Sequence, residues 1–161
     1  LLERLPRETL LDHPDLAELA CLAISMTAFP DHAEAQLDQL DIDDAQRWPG
    51  AARTLPLVRA VIALQRDDAQ QAIALLESHR VDTTGNPFLR YLRLSALSVS
   101  YAAAGRYARA RTVLESEPIQ AADRNNDITI IAESTYALAL LLEGNAREAA
   151  RFTTTLEVSA S

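Results

Sequence analysis

Lysine is missing from this 161-residue sequence, whose fifteen basic residues are all arginine, and cysteine occurs once. Without lysine there is no Gly-x-x-x-x-Gly-Lys phosphate loop, since that chemistry needs an ammonium on the phosphates, so any ATPase is expected to lie outside this chain. The lone Cys21 cannot form an internal disulfide, which fits a reducing, cytoplasmic setting. Its neighbours at helical spacing, Ala17, Ala20 and Ile24, mark it as a buried, inert thiol. No apolar run reaches the length of a membrane span and no signal peptide opens the chain, so no membrane partner is expected. Positive charge is also short: the formal net charge of -8 repels a phosphate-rich duplex, and direct DNA binding by this chain is not expected.

Glycine is scarce, with four in the chain, while alanine and leucine dominate. These residues lose least on entering a helix, and the fold class is therefore all-α. Four segments share a helix, a tight turn and a second helix with a small residue near its start. Those small residues are Ala33, Ala72, Ala110 and Ala149, separated by 39, 38 and 39 residues. A period this even marks a stacked array of helix pairs. The pattern predicts helices over 14–28 and 31–40, 52–66 and 68–80, 87–104 and 107–116, and 127–143 and 146–158. The first dozen residues are expected to end an earlier helix and form a short one.

Turn chemistry repeats in phase. Gly105 and Gly144 supply the left-handed residue that ends a helix, and Arg66-Asp67 takes that place in the second unit. Asp31 with Glu34, Asp68 with Gln71, and Asn145 with Glu148 have capping-box spacing, and Asn86-Pro87 reads as a cap followed by proline at the first helical position. Pro49-Gly50, Thr83-Thr84-Gly85 and Arg124-Asn125-Asn126-Asp127 read as connections between units.

The third unit carries Leu94, Leu97, Ser98, Tyr101, Ala110 and Leu114 in the order of a divergent tetratricopeptide motif, with serine where the motif has glycine. The resemblance implies a right-handed α-solenoid of about four tetratricopeptide-like pairs, forming a single domain over 1–161 with units at about 14–40, 52–80, 87–116 and 127–158. The chain also opens inside a helical pattern at Leu1, as a fragment of a longer protein would.

Further local patterns narrow the resemblance. Leu5-Pro6-x-x-x-Leu10, His13-Pro14-x-Leu16, Ala33-Glu34-Ala35-x-Leu37, Val58-Arg59-Ala60 and the Arg66-Asp67-Asp68 turn together resemble the MalT-like helical domain of ATP-dependent LuxR-type transcriptional regulators. What the resemblance implies is an inducer-sensing or protein-interaction domain of a parent protein that binds ATP elsewhere, with no cofactor in this fragment. A free-standing adaptor that holds a partner peptide is the alternative.

No catalytic set is legible. His13, His32 and His79 lack a second ligand at metal spacing, and the acidic run Asp38, Asp41, Asp43 and Asp44 lacks the glycine and closing glutamate of a calcium loop. An enzyme is not expected. Tetratricopeptide geometry places a concave groove on the first helix of each pair: Glu18, Leu22 and Ser25; Leu57, Val61 and Leu64; Leu92, Ser95, Val99 and Ala102; Ile131, Ser134, Leu138 and Leu141. Such a surface, mostly apolar with a few hydroxyls, suits a protein segment or a small-molecule inducer. Arg59, Arg90 and Arg93 are the nearest anion-binding candidates, read as flanking solvated charge, and Trp48 is either a loop anchor or an exposed contact. The helix from Ile128 to Leu142 is apolar nearly all round, so self-association through the last repeat, or cover by a further helix pair, is expected.

Overall fold

Alanine- and leucine-rich segments punctuated by proline, asparagine and glycine build eight helices with both ends among the residues that the computed structural model describes, 9, 13–27, 29–40, 49–78, 86–117 and 127–159. They are α1 (Pro14–Thr27), α2 (Pro30–Leu40), α3 (Pro49–Gln65), α4 (Ala69–Ser78), α5 (Pro87–Ala103), α6 (Tyr107–Ser116), α7 (Asp127–Leu142) and α8 (Ala146–Ser159), with no strand among the described residues. The described chain is all-α, and no helix in it is long and apolar enough to cross a membrane.

Three of the turns between paired helices share one geometry. Asp67 (φ 59°), Gly105 (φ 73°) and Gly144 (φ 93°) are all left-handed. In each case the next amide reaches back five residues: Asp68 N–H donates to the Ala63 carbonyl at 2.9 Å, Arg106 N–H to Tyr101 at 2.8 Å and Asn145 N–H to Leu140 at 2.8 Å. This is the Schellman closure, which satisfies carbonyls orphaned at a helix end. An aspartate thus performs the turn of the second helix pair in the glycine conformation.

Helix starts follow the expected caps only in part. Asn86 Oδ1 accepts the Leu89 amide at 3.2 Å with Pro87 at the first position, and Asp68 Oδ1 accepts the Gln71 amide at 2.9 Å. The Asp31–Glu34 spacing serves another purpose. Because α2 begins at Pro30, Asp31 falls inside the first turn, and both carboxylates clamp Arg66 Nη2, at 2.6 and 2.7 Å, at the end of α3. Pro49-Gly50, expected as a connection, instead opens α3, since proline's fixed φ suits a first helical position. The helix then continues through Pro56.

The chain divides into two compact units, Leu1–Asp82 and Thr83–Ser161. In the first, α1 lies against α2 and α3, α2 against α3, and α3 against α4. In the second, α5 lies against α6 and α7, α6 against α7, and α7 against α8. Within each unit every helix packs on its sequence neighbour, and the two first helices pack on each other.

A rule of small residues explains how each pair closes. The repeat alanines Ala33, Ala72, Ala110 and Ala149 are buried, and so is the residue twelve places earlier: Cys21, Ala60, Ser98 and Ala137 respectively. A small side chain on each helix lets two backbones approach within packing distance, about 8–10 Å between axes. At the third pair the approach is close enough for Ser98 Oγ to donate to the Ala110 carbonyl at 2.8 Å. Around these contacts Leu57, Val58, Ile62 and Leu76 form the core of the first unit, and Tyr91, Leu94, Tyr101 and Leu140 that of the second.

Candidate functional site

Four helices of the second unit enclose a cavity of about 360 Å³. Its floor is buried and apolar: Tyr91 and Leu94 from α5, and Ala132 and Leu140 from α7. Leu114 from α6 and the half-buried rings of Tyr136 and Phe152 form the walls. Glu115, Glu117 and Glu148 stand exposed at the rim, with Glu133 half-buried beside them. This volume lies in the range of small-molecule pockets, which are mostly apolar with a few placed polar groups.

The sequence positions these groups through helical spacing. Ala132, Tyr136 and Leu140 recur every four residues along α7, and Glu148 and Phe152 do the same on α8. Tyr136 ties three helices together. Its ring meets that of Phe152 with centroids 5.1 Å apart at 60°, a tilted aromatic pair, and its hydroxyl donates to Glu115 Oε1 at 3.0 Å. Burial, then the hydrogen bond to Glu115, raise the Tyr136 phenol above its ordinary value of 10. Arg111 lies close to the rim and bridges Glu115 (3.4 Å) and Glu143 (3.0 Å). No ion pair holds Glu117 or Glu148 among the described residues.

The predicted groove residues occupy varied surroundings. The side chain of Glu18 lies outside the described residues. Ser25 is buried, its hydroxyl donating to the Leu22 carbonyl at 2.8 Å while its own carbonyl accepts Gln65 Nε2 at 2.7 Å, so it belongs to the contact of α1 with α3. Val61, Leu64 and Val99 are half-buried, and Leu92 and Ser95 are buried. Ser95 Oγ has no hydrogen-bond partner among the described residues. Ser134 and Leu138 are exposed on α7, on one face with Ile131 and Leu141. None of these residues lines the cavity.

Among the arginines, Arg90 holds its guanidinium 4.5 Å from the Tyr91 ring centroid and donates to the Tyr91 hydroxyl at 2.5 Å; Arg59 is exposed and Arg93 half-buried. Cys21 is buried, and exposed His32 shares a 2.9 Å hydrogen bond with Gln36. Among the described residues no His, Cys, Asp or Glu side chains group to hold a metal ion. Trp48, His79 and Asp41, Asp43 and Asp44 lie outside the described residues, as do Thr83-Thr84-Gly85 and Arg124-Asn125-Asn126.

The cavity is not among the sequence expectations, because it draws on both helices of each pair and not on the first helices alone. The available signal was the aromatic pair Tyr136 and Phe152, sixteen residues apart on consecutive helices, with glutamates a turn away from each. Comparison with protein-family models, with curated proteins and with solved structures returns no match to this chain.

Proposed function

We propose that the chain is a ligand-binding helical-repeat module, in which four tetratricopeptide-like pairs stack as a right-handed α-solenoid. We further propose that it serves as the inducer-sensing domain of an ATP-dependent LuxR-type transcriptional regulator. The cavity in the second unit is the observation that carries the sensing reading. A ligand held there touches α5, α6, α7 and α8 at once, so its binding energy depends on how two helix pairs pack, and differential affinity for two packings is what a sensor needs. The even period, the three Schellman turns and the four buried small-residue sites support the repeat reading. The ordered local patterns, from Leu5-Pro6 to the Arg66-Asp67-Asp68 turn, support the parent family.

Thermal-shift screening of the chain against small metabolites tests the sensing reading, because a ligand that binds only the folded state raises the melting temperature. The expected result is at least one stabilising metabolite whose effect is lost in Tyr136→Ala. Silence across the screen favours the second reading, an adaptor for a protein partner. That alternative has its own support in the exposed apolar stripe of α7, where Ile131, Leu138 and Leu141 surround Ser134. The same stripe supports self-association. Dimerisation that rises with concentration in sizing measurements, and disappears in Leu138→Glu, is the expected result if it pairs two copies.

A further inference from the structure

We propose that the cavity of the second unit binds an organic cation, an ammonium or guanidinium carried on an apolar body; this rests on reading that cavity as the binding site. Three aromatic rings, those of Tyr91, Tyr136 and Phe152, and four carboxylates meet there, and no arginine or histidine lines it among the described residues. Aromatic rings and carboxylates are the two side-chain groups that attract an organic cation, the first through the quadrupole and the second through full charge.

The arrangement is graded. The floor of Tyr91, Leu94 and Leu140 is buried and offers cover to an apolar group, whereas Glu117 and Glu148, without an ion pair among the described residues, stand exposed at the rim. A ligand matching both has a hydrophobic end and a positive end. Two cations of the same unit are already committed: Arg111 to Glu115 and Glu143, and Arg90 to the Tyr91 ring and hydroxyl. An anion would meet uncompensated carboxylates. A neutral polar ligand would gain nothing from the charge at the rim. The net charge of -8 adds long-range attraction for the same class.

Two sources share this chemistry, a free amine and the lysine or arginine side chain of a partner protein. Isothermal titration of the whole chain at low salt separates them with three probes: phenethylamine, its uncharged match 2-phenylethanol, and acetylated, amidated lysine. One of the two cations is expected to bind at least tenfold more tightly than 2-phenylethanol. Its affinity is expected to fall about tenfold in the double variant Glu117→Gln/Glu148→Gln and to weaken with salt. The stronger of the two cations identifies the source. Both substituted positions are exposed, so the fold is retained, and circular dichroism verifies it. If the alcohol binds as tightly as the amine, or the double variant leaves amine binding unchanged, the cation assignment fails while the cavity stands as a site. If none of the three probes binds, both the assignment and the site reading fail.

Discussion

Two serines three residues apart on α5 separate packing from hydrogen bonding. Ser98 is buried and donates to the Ala110 carbonyl across the helix pair, whereas Ser95 is buried with no partner for its hydroxyl among the described residues. Removing a satisfied hydroxyl costs about 1 kcal/mol, while removing an unsatisfied one relieves a desolvation cost. Ser98→Ala is therefore expected to lower unfolding free energy by about 1 kcal/mol, and Ser95→Ala to leave it unchanged or raise it, as read by urea denaturation. The turn residues give a second contrast. Gly105 and Gly144 have open space where a Cβ would sit, so only their positive φ opposes substitution. Gly105→Ala and Gly144→Ala should each cost about 1–2 kcal/mol. Asp67 already bears part of that strain, and Asp67→Gly should stabilise by about 0.5 kcal/mol, the strain relieved less the extra entropy glycine loses. Parallel thermal melts of the three variants check the order.

Elements were largely legible in the sequence, and the reasons are physical. Helix ends written in glycine or asparagine, at Asn86, Gly105 and Gly144, were readable because those residues adopt conformations others avoid. Less visible was whatever depended on a distant partner. Asp31 and Glu34 have capping spacing, yet Arg66, over thirty residues away, takes both carboxylates. The cavity was hidden for the same reason, since Glu115 and Tyr136 meet across twenty-one residues. That contact makes Tyr136 a strap from α6 to α7 and gives it a pH signature. Its phenol is raised in the fold, by burial first and then by Glu115, so the unfolded chain loses its proton first as pH climbs above 10. Unfolding then releases a proton, and stability is full below pH 10 and falls as pH rises towards the folded value. Denaturation at stepped alkaline pH should show this fall in the native protein and a reduced fall in Tyr136→Phe.

For the whole molecule, one packing rule recurs in both compact units. In each pair a long helix and a shorter one both bury a small residue, and three of the turns between them are left-handed. Each closure buries its own small residues, so damage to any one of them is expected to cost stability in the compact unit that holds it. The charge pattern belongs to the same scale. A chain of net charge -8 whose cations are all arginine can hold them in fixed pairs, as Arg66 and Arg111 show, while leaving carboxylates exposed.

Chemical denaturation of eight single alanine-to-leucine variants tests the repeat most directly. Four alter the inward alanines Ala33, Ala72, Ala110 and Ala149, and four alter the exposed alanines Ala35, Ala74, Ala108 and Ala150 of the same helices. Overpacking a closed contact costs about 1–3 kcal/mol, whereas a surface change stays within about 0.5 kcal/mol. All four inward variants are expected to lose stability in the larger range and all four outward ones to remain near the native value. Equal losses in the two sets, or inward variants that tolerate leucine, would contradict a fold built on four helix pairs closed at their alanines.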